Sequence, residues 1–316
     1  MTNIRNRLGS LPWVWSFVGA FATWLVTLVV SAGQGGGQVL TAALTFSAFT
    51  VLVSLGQMLV ITSGPGNVDL SIPSVIALSS AVSMLVMNEQ GAMIVPGILA
   101  AVAAGAAVGL ANYGLIRVLR IPPIIATLSS SLITTSVAIT IGRGLKIKPP
   151  DAFANLVTGK IAGVPLLAIL ALLAAVAIAI VLERTVYGRT VSAIGQSRRV
   201  ARLADLRVEW TRLLTYVASA GLAGLTGALI AGFAGGNSLD QGEEYLLLTI
   251  AVVVIGGTSV AGGRASVPGI WGAALFMFLI VTMLNASGIP PGLRMLFTGL
   301  IIIAVIAIGG GEKALR

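Results

Sequence analysis

The sequence contains no cysteine and no histidine. Disulfides, thiolate chemistry, imidazole proton relays and Cys/His metal sites are therefore excluded. A Ser-His-Asp hydrolase set is impossible without histidine. No GxxxxGK[ST] phosphate loop occurs, so the chain does not take ATP by that route. Carboxylates are few, and none are spaced to hold a metal. Glu243 and Glu244 are adjacent and read as a solvated face. The chain is expected to be no enzyme by itself and to carry no cofactor. Charge of either sign is scarce: 9% of residues are charged, against about 25% in soluble domains.

What remains is apolar. Of 316 residues, 57% are hydrophobic, which places the chain among integral membrane proteins embedded in a lipid bilayer. At roughly 20 residues per crossing there is room for about ten helices. The expected class is all-α, a single transmembrane domain over residues 1–316. Spans are expected at about 11–31, 39–61, 71–87, 92–116, 124–141, 164–182, 213–233, from Leu246 with an interruption at Gly256, then 267–285 and 293–308. The basic start MTNIRNRLGS precedes an apolar run of near twenty residues. That is long for the 7–15-residue core of a signal peptide, so a retained first helix is expected.

The net charge is +9. A basic balance often marks nucleic-acid binding, but these charges lie in loops between apolar runs. They read as the positive-inside bias of membrane proteins, with no nucleic-acid partner. Residues 183–212 form the longest hydrophilic run and hold seven arginines: Arg184, Arg189, Arg198, Arg199, Arg202, Arg207 and Arg212. A mid-bilayer arginine costs about 3 kcal/mol on insertion scales, so the run stays outside the hydrocarbon. Ten spans then put both termini in the cytoplasm. Arg5, Arg7, Arg117, Arg120, the seven loop arginines, Arg264, Lys313 and Arg316 fall inside, while Arg143, Lys146, Lys148, Lys160 and Arg294 fall outside. The rich loop is either an orientation anchor or the grip of a cytoplasmic partner.

Two spans read as interrupted. The second runs into TSGPGNVDLSIPS (62–74), and the short run 246–255 runs into GGTSVAGGR (256–264). Broken backbone at membrane depth persists only where protein buries it or a wet cavity meets it. Paired breaks in the two halves of a chain point to a transport site. Asp69, inside the first break, either caps the helix beginning near Ser71 or meets a polar solute. Asn67, Ser71, Ser74, Thr127, Ser129, Thr258, Ser259 and Asn285 are uncharged candidates for a solute path. Such groups suit a neutral hydroxylated solute better than an ion. Small-residue runs at 100–114 and 221–232 read as close helix contacts, either fixed or sliding.

Four motifs together resemble one family. They are GNVDLSIPS (66–74), IPPIIATLSS (121–130), YGRTVSAIG (187–195) with ARLADL (201–206), and IGGTSVAGGRASVPG (255–269). In this order they are similar to the membrane permease subunits of bacterial ribose-type sugar ABC importers, over about residue 50 to the end. The resemblance implies a multi-pass permease of the bacterial inner membrane. It implies a cytoplasmic ABC ATPase, a second permease copy or paralogue, and an extracytoplasmic solute-binding protein as partners. It implies that Tyr187, Gly188, Arg189, Gly195, Ala201, Arg202 and Leu203 couple to the ATPase, and that the outer loops 142–163 and 235–245 receive the binding protein. Asn67 and Val68, then Ile72 and Pro73, then Ser129 and Ser130, depart from the family's usual residues near the expected path. These departures leave the sugar open to exchange for a polyol or another small polar solute. The competing readings are a stand-alone secondary transporter or channel, and an ABC permease for nucleosides or branched amino acids.

Overall fold

The computed structural model describes residues 12–31, 33 and 35–309. Arg5, Arg7, Lys313 and Arg316, on which the expected placement of the termini partly rests, lie outside these residues.

Thirteen helices follow one another among the described residues. They are α1 (Pro12–Val30), α2 (Gly36–Thr62), α3 (Ile72–Met87), α4 (Ile94–Val118), α5 (Pro123–Gly142), α6 (Asp151–Thr158), α7 (Leu166–Arg184), α8 (Val186–Gln196), α9 (Arg198–Leu203), α10 (Val208–Ala234), α11 (Tyr245–Ile255), α12 (Val267–Ala286) and α13 (Pro291–Gly309). A two-stranded hairpin, Lys160–Ile161 against Val164–Pro165, closes the loop after α6. Seven helices are long and apolar enough to cross a bilayer: α1, α2, α4 with its 3-10 lead-in, α5, α7, α10 and α12. Three further apolar stretches are shorter: Ile72–Met87, Tyr245–Ile255 and Gly292–Ile301. The chain is thus an all-α integral membrane protein.

Proline sets several starts. Pro73, Pro123 and Pro268 sit in the first turn of α3, α5 and α12, where the missing amide hydrogen costs no helical bond. Side-chain caps start the two helices of the arginine-rich loop. Thr185 Oγ1 accepts from the Gly188 amide at 3.2 Å, and Ser197 Oγ accepts from the Val200 amide at 3.3 Å.

The interior is built from α2, α3, α10 and α12, with α4, α5, α7 and α1 around them. The most extensive helix pair is α4 with α10. The two small-residue runs meet there. A β-carbon on Gly105 would sit 2.2 Å from the Ala220 carbonyl oxygen, and one on Gly109 would sit 2.4 Å from that of Tyr216. Only hydrogen fits at these points, so backbone packs on backbone, as small residues permit in lipid.

Two features differ from the linear reading. Helix α10 begins at Val208, five residues before the expected start, because Glu209 has partners at that end of the bundle. The segment 235–245 is not wholly an outer loop. Asn237 accepts from Ser80 Oγ and donates to the Gly142 carbonyl at 3.4 Å. A β-carbon on Gly242 would lie 2.2 Å from the Pro73 carbonyl oxygen. The chain therefore runs back along α3, from the level of Ser80 to that of Pro73, before α11 starts. At 1.5 Å per residue the 11 residues of α11 cover about 16 Å, roughly half the hydrocarbon thickness. The descending segment runs beside α3 over about seven helical positions, roughly 10 Å.

Candidate functional site

The first break is a buried polar knot beneath α3. Helix α2 has 27 residues, about 40 Å, and so crosses the bilayer completely before it ends. The chain then turns through Ser63 to Gly66 and climbs back beside α2. The Asp69 amide donates to Gln57 Oε1 at 3.1 Å. Gln57 lies five residues before the end of α2, so the chain has re-entered by about 7 Å at that point. The Leu70 amide donates to Thr127 Oγ1 of α5 at 3.1 Å. The Asp69 and Leu70 amides are thus met by side chains of neighbouring helices, which is how irregular backbone is tolerated at depth.

Asp69 is 1% exposed. Its Oδ1 accepts from the Ser71 amide at 3.0 Å and from Ser71 Oγ at 2.6 Å, and its Oδ2 accepts from Ser219 Oγ of α10 at 3.4 Å. Ser71 Oγ also accepts from Asn112 Nδ2 of α4 at 2.8 Å. Asn112 Oδ1 in turn accepts from Ser130 Oγ of α5. One chain of hydrogen bonds thus joins the break to α2, α4, α5 and α10. Ser74 Oγ donates to the Ser71 carbonyl at 2.8 Å and meets Ser131 Oγ at 3.1 Å. Asn67 Nδ2 donates to Ser63 Oγ at 3.0 Å.

The second break is a closed hairpin. Thr258 Oγ1 accepts from the Ser266 amide at 3.1 Å, and the Ser259 amide donates to the Arg264 carbonyl at 3.1 Å. Its arms meet where a β-carbon on Gly269 would fall 1.8 Å from the Gly256 carbonyl oxygen. Its tip reaches the first break, with the Gly263 amide donating to the Thr62 carbonyl at 2.9 Å. Gly262 and Gly263 have φ of +86° and +80°, a conformation that glycine adopts at little cost.

The expected path residues therefore separate into groups. Asn67, Asp69, Ser71, Ser74 and Thr127 come together in the first knot, and Thr258 and Ser259 shape the second hairpin. Ser129 lies on the open face of α5 with Ser136 and Thr140, whose hydroxyls bond back to their own helix at 2.9 and 2.8 Å. Asn285 sits at the far end of α12, about 27 Å from its start, where it accepts from Arg294. Gln57, Asn112 and Ser219 belong to the knot but were not singled out from the sequence, where Ser130 stood only as a departure from the family's residues. Their signal was a lone amide or hydroxyl within an apolar span.

The arginine-rich loop folds onto the bundle through a second cluster. Glu209 Oε1 accepts from Arg202 Nη2 at 2.6 Å, and Oε2 accepts from the Tyr113 hydroxyl at 2.6 Å and lies 3.3 Å from Arg117 Nε. The Arg212 guanidinium lies 5.7 Å from the Tyr113 ring centre, within cation–π range. Tyr187 meets Thr215 Oγ1 at 3.0 Å. Burial raises the Tyr187 phenol above its ordinary value, and the Thr215 bond offsets this in part, so it acts as a neutral hydrogen-bonding group.

Of the expected coupling residues, Gly188, Gly195 and Ala201 face inward. A β-carbon on Gly188 would sit 2.3 Å from Leu182 Cα. Ala201 packs with Ile194, Leu206 and Val208. Arg189 and Leu203 face outward, Leu203 being 81% exposed, and Val186 and Val200 are exposed as well. Arg202 is paired within the chain.

Comparison with known proteins places this geometry. The family described as the permease component of branched-chain amino acid transport systems matches residues 39–306. The chain is 32% identical to the "Probable ABC transporter permease protein y4mJ" of Sinorhizobium fredii, over 84% of this chain and 79% of that protein. It is 30% identical to the "Autoinducer 2 import system permease protein LsrD" of Photorhabdus laumondii, over 96% and 92%. The Salmonella typhi protein of the same name is 29% identical over 81% and 78%. No solved structure matches.

Proposed function

Because the chain belongs to the family of permease components of branched-chain amino acid transport systems, we propose that it forms half of the solute path of an importer for a monosaccharide or similar polyhydroxylated solute. It is a multi-pass permease subunit of an ABC importer in the inner membrane. It is not itself an enzyme, and ATP hydrolysis resides on a separate subunit of the system.

The observation that carries the solute reading is the chemistry of the two breaks and of the open face of α5. The knot around Asp69 holds hydroxyls, amides and one carboxylate, bonded to one another and to backbone. These groups are spent on one another, so the breaks shape the wall, and the open hydroxyls of α5 are neutral donors and acceptors suited to a hydroxylated solute. An α-amino acid would call instead for a matched pair of fixed charges. Relatives of similar length are named for import of autoinducer 2, which supports a small polar cargo.

In this reading ten spans cross the membrane, with α3, α11 and α13 completed by neighbouring backbone, and both termini lie in the cytoplasm. Two copies, or this chain and a paralogue, face each other. The path runs between them along the open face of α5, where Ser129, Ser136 and Thr140 offer hydroxyls. Asn67, Asp69, Ser71, Ser74, Thr127, Thr258 and Ser259 shape its wall, and Asn285 lies at its outer end. The ATPase grips the outward face of α8 and α9 through Arg189, Val200 and Leu203. Tyr187, Gly188, Ala201 and Arg202 hold those helices to the bundle. A solute-binding protein delivers cargo from outside, over the loop 142–163.

The test is co-purification followed by uptake. The chain, extracted in mild detergent, is expected to bring an ATPase subunit, and Arg189→Glu with Leu203→Glu is expected to release it while leaving the permease folded. Reconstituted with its partners, it should move labelled monosaccharide with ATP and leave labelled leucine outside. A permease that moves solute in liposomes without ATP would sink the importer reading.

A further inference from the structure

One residue of helix α8, Gly195, touches both broken spans. A β-carbon on Gly195 would lie 2.0 Å from the Thr62 carbonyl oxygen and 2.2 Å from the Gly263 amide nitrogen. Those two atoms are the acceptor and donor of the 2.9 Å hydrogen bond that joins the first break to the second. Gly262 completes the junction: its own β-carbon would sit 2.7 Å from Gly64 Cα and 3.0 Å from the Gly195 carbonyl oxygen. Gln196 packs on the same point, its Cγ 2.6 Å from a β-carbon on Gly263. Three backbones, one from each segment, thus meet with no side chain between them.

We propose that Gly195 is a positioning residue that makes the arginine-rich loop and both breaks one rigid body. A displacement of α8 is passed in the same stroke to the end of α2 and to the hairpin before α12. Both walls of the path then move together. The physical ground is stiffness. Backbone atoms in direct contact cannot yield by changing rotamer, so a push at α8 is not absorbed at the junction. The outward side of α8 is left free for a partner, because Gly195 faces inward. This inference rests on the importer reading above, and adds to it the route by which the loop's motion reaches the path.

The experiment uses the reconstituted complex of permease, ATPase and solute-binding protein, with solute moved per ATP hydrolysed as its readout. In Gly195→Ala the junction must open by about 1.4 Å or more to restore ordinary contact. Solute moved per ATP is expected to fall at least tenfold while the ATPase still co-purifies. A Gly195→Ala complex with an unchanged ratio would overturn the proposal. Because the chain has no cysteine, Thr62→Cys with Gln196→Cys offers the only two thiols of the permease to a short bis-methanethiosulfonate, which forms a disulfide at each end as sulfinate leaves. A rigid junction tolerates that bridge, so bridged complexes are expected to transport within twofold of unbridged ones. Loss of transport on bridging, restored by reduction, would mean that α8 and the break must separate during the cycle, and the proposal would fail. This second arm decides the matter if the Gly195→Ala chain does not assemble. A wild-type permease that transports without any ATPase would refute the importer reading and would be seen before either variant is made.

Discussion

The carboxylate of Asp69 offers the sharpest single perturbation. It is buried, and its bonded partners are all neutral: the Ser71 amide at 3.0 Å, Ser71 Oγ at 2.6 Å and Ser219 Oγ at 3.4 Å. Asp69→Asn keeps shape and acceptor. Its Oδ1 can still take both Ser71 donors, and its amide can donate to Ser219 Oγ, which then accepts. Stability should change by less than about 1 kcal/mol. Asp69→Ala strands the Ser71 amide and leaves Ser219 facing a void. One buried amide without a partner costs about 1–3 kcal/mol, and the lost hydroxyl bonds add roughly 1 kcal/mol more. The total is about 3 kcal/mol, or roughly 4–5 °C in Tm for a chain of 316 residues at about 2.1 cal/mol/K of unfolding entropy per residue. Unfolding followed by tryptophan emission in detergent, using the five tryptophans, measures both variants. A midpoint for Asn as low as that for Ala would refute the argument that geometry rather than charge is needed. An Asn variant with a native midpoint and no uptake would show that the carboxylate itself meets solute.

Further outcomes are expected from the same structure. Ser130→Ala removes the donor to Asn112 Oδ1 and should cost about 1–2 kcal/mol; Ser129→Ala, on the open face, should leave the midpoint within about 0.5 kcal/mol yet alter uptake. Gly109→Ala drives a β-carbon to 2.4 Å from the Tyr216 carbonyl and should cost about 1–3 kcal/mol by overpacking, visible as a lower midpoint and loss of monodispersity. Glu209→Gln weakens pairs to Arg117 and Arg202, whose side chains are more than half exposed. Each such pair is worth about 0.5 kcal/mol, so the stability change is small. The orientation of α9 is nevertheless released, and proteolysis within 197–207 should quicken.

The order of residues alone was enough for the class, for the apolar segments within a few residues of their observed ends, and for the positions of both breaks. Those features follow from local rules: length against bilayer thickness, proline at a helix start, glycine where chains turn. The sign of the arginine-rich loop and its position in the chain between two apolar helices were equally legible. Which side of each helix faces inward was not. In water a buried stripe is apolar and its opposite is polar, so periodicity reveals the core. In lipid both faces are apolar, and that contrast vanishes. Ser129 and Ser130 differ by about 100° around α5, yet only the second enters the knot. Gln57 and Ser219 stand 12 and 150 positions from Asp69, and Asn112 stands 41 from Ser71. Only the fold brings them to the Asp69 amide, the Asp69 carboxylate and the Ser71 hydroxyl. Arg202 read as a partner contact until packing placed Glu209 beside it. The descent of 237–242 along α3 and the meeting of three backbones at Gly195 likewise emerge only from packing, because close approach depends on what lies opposite and a single chain's order does not record that.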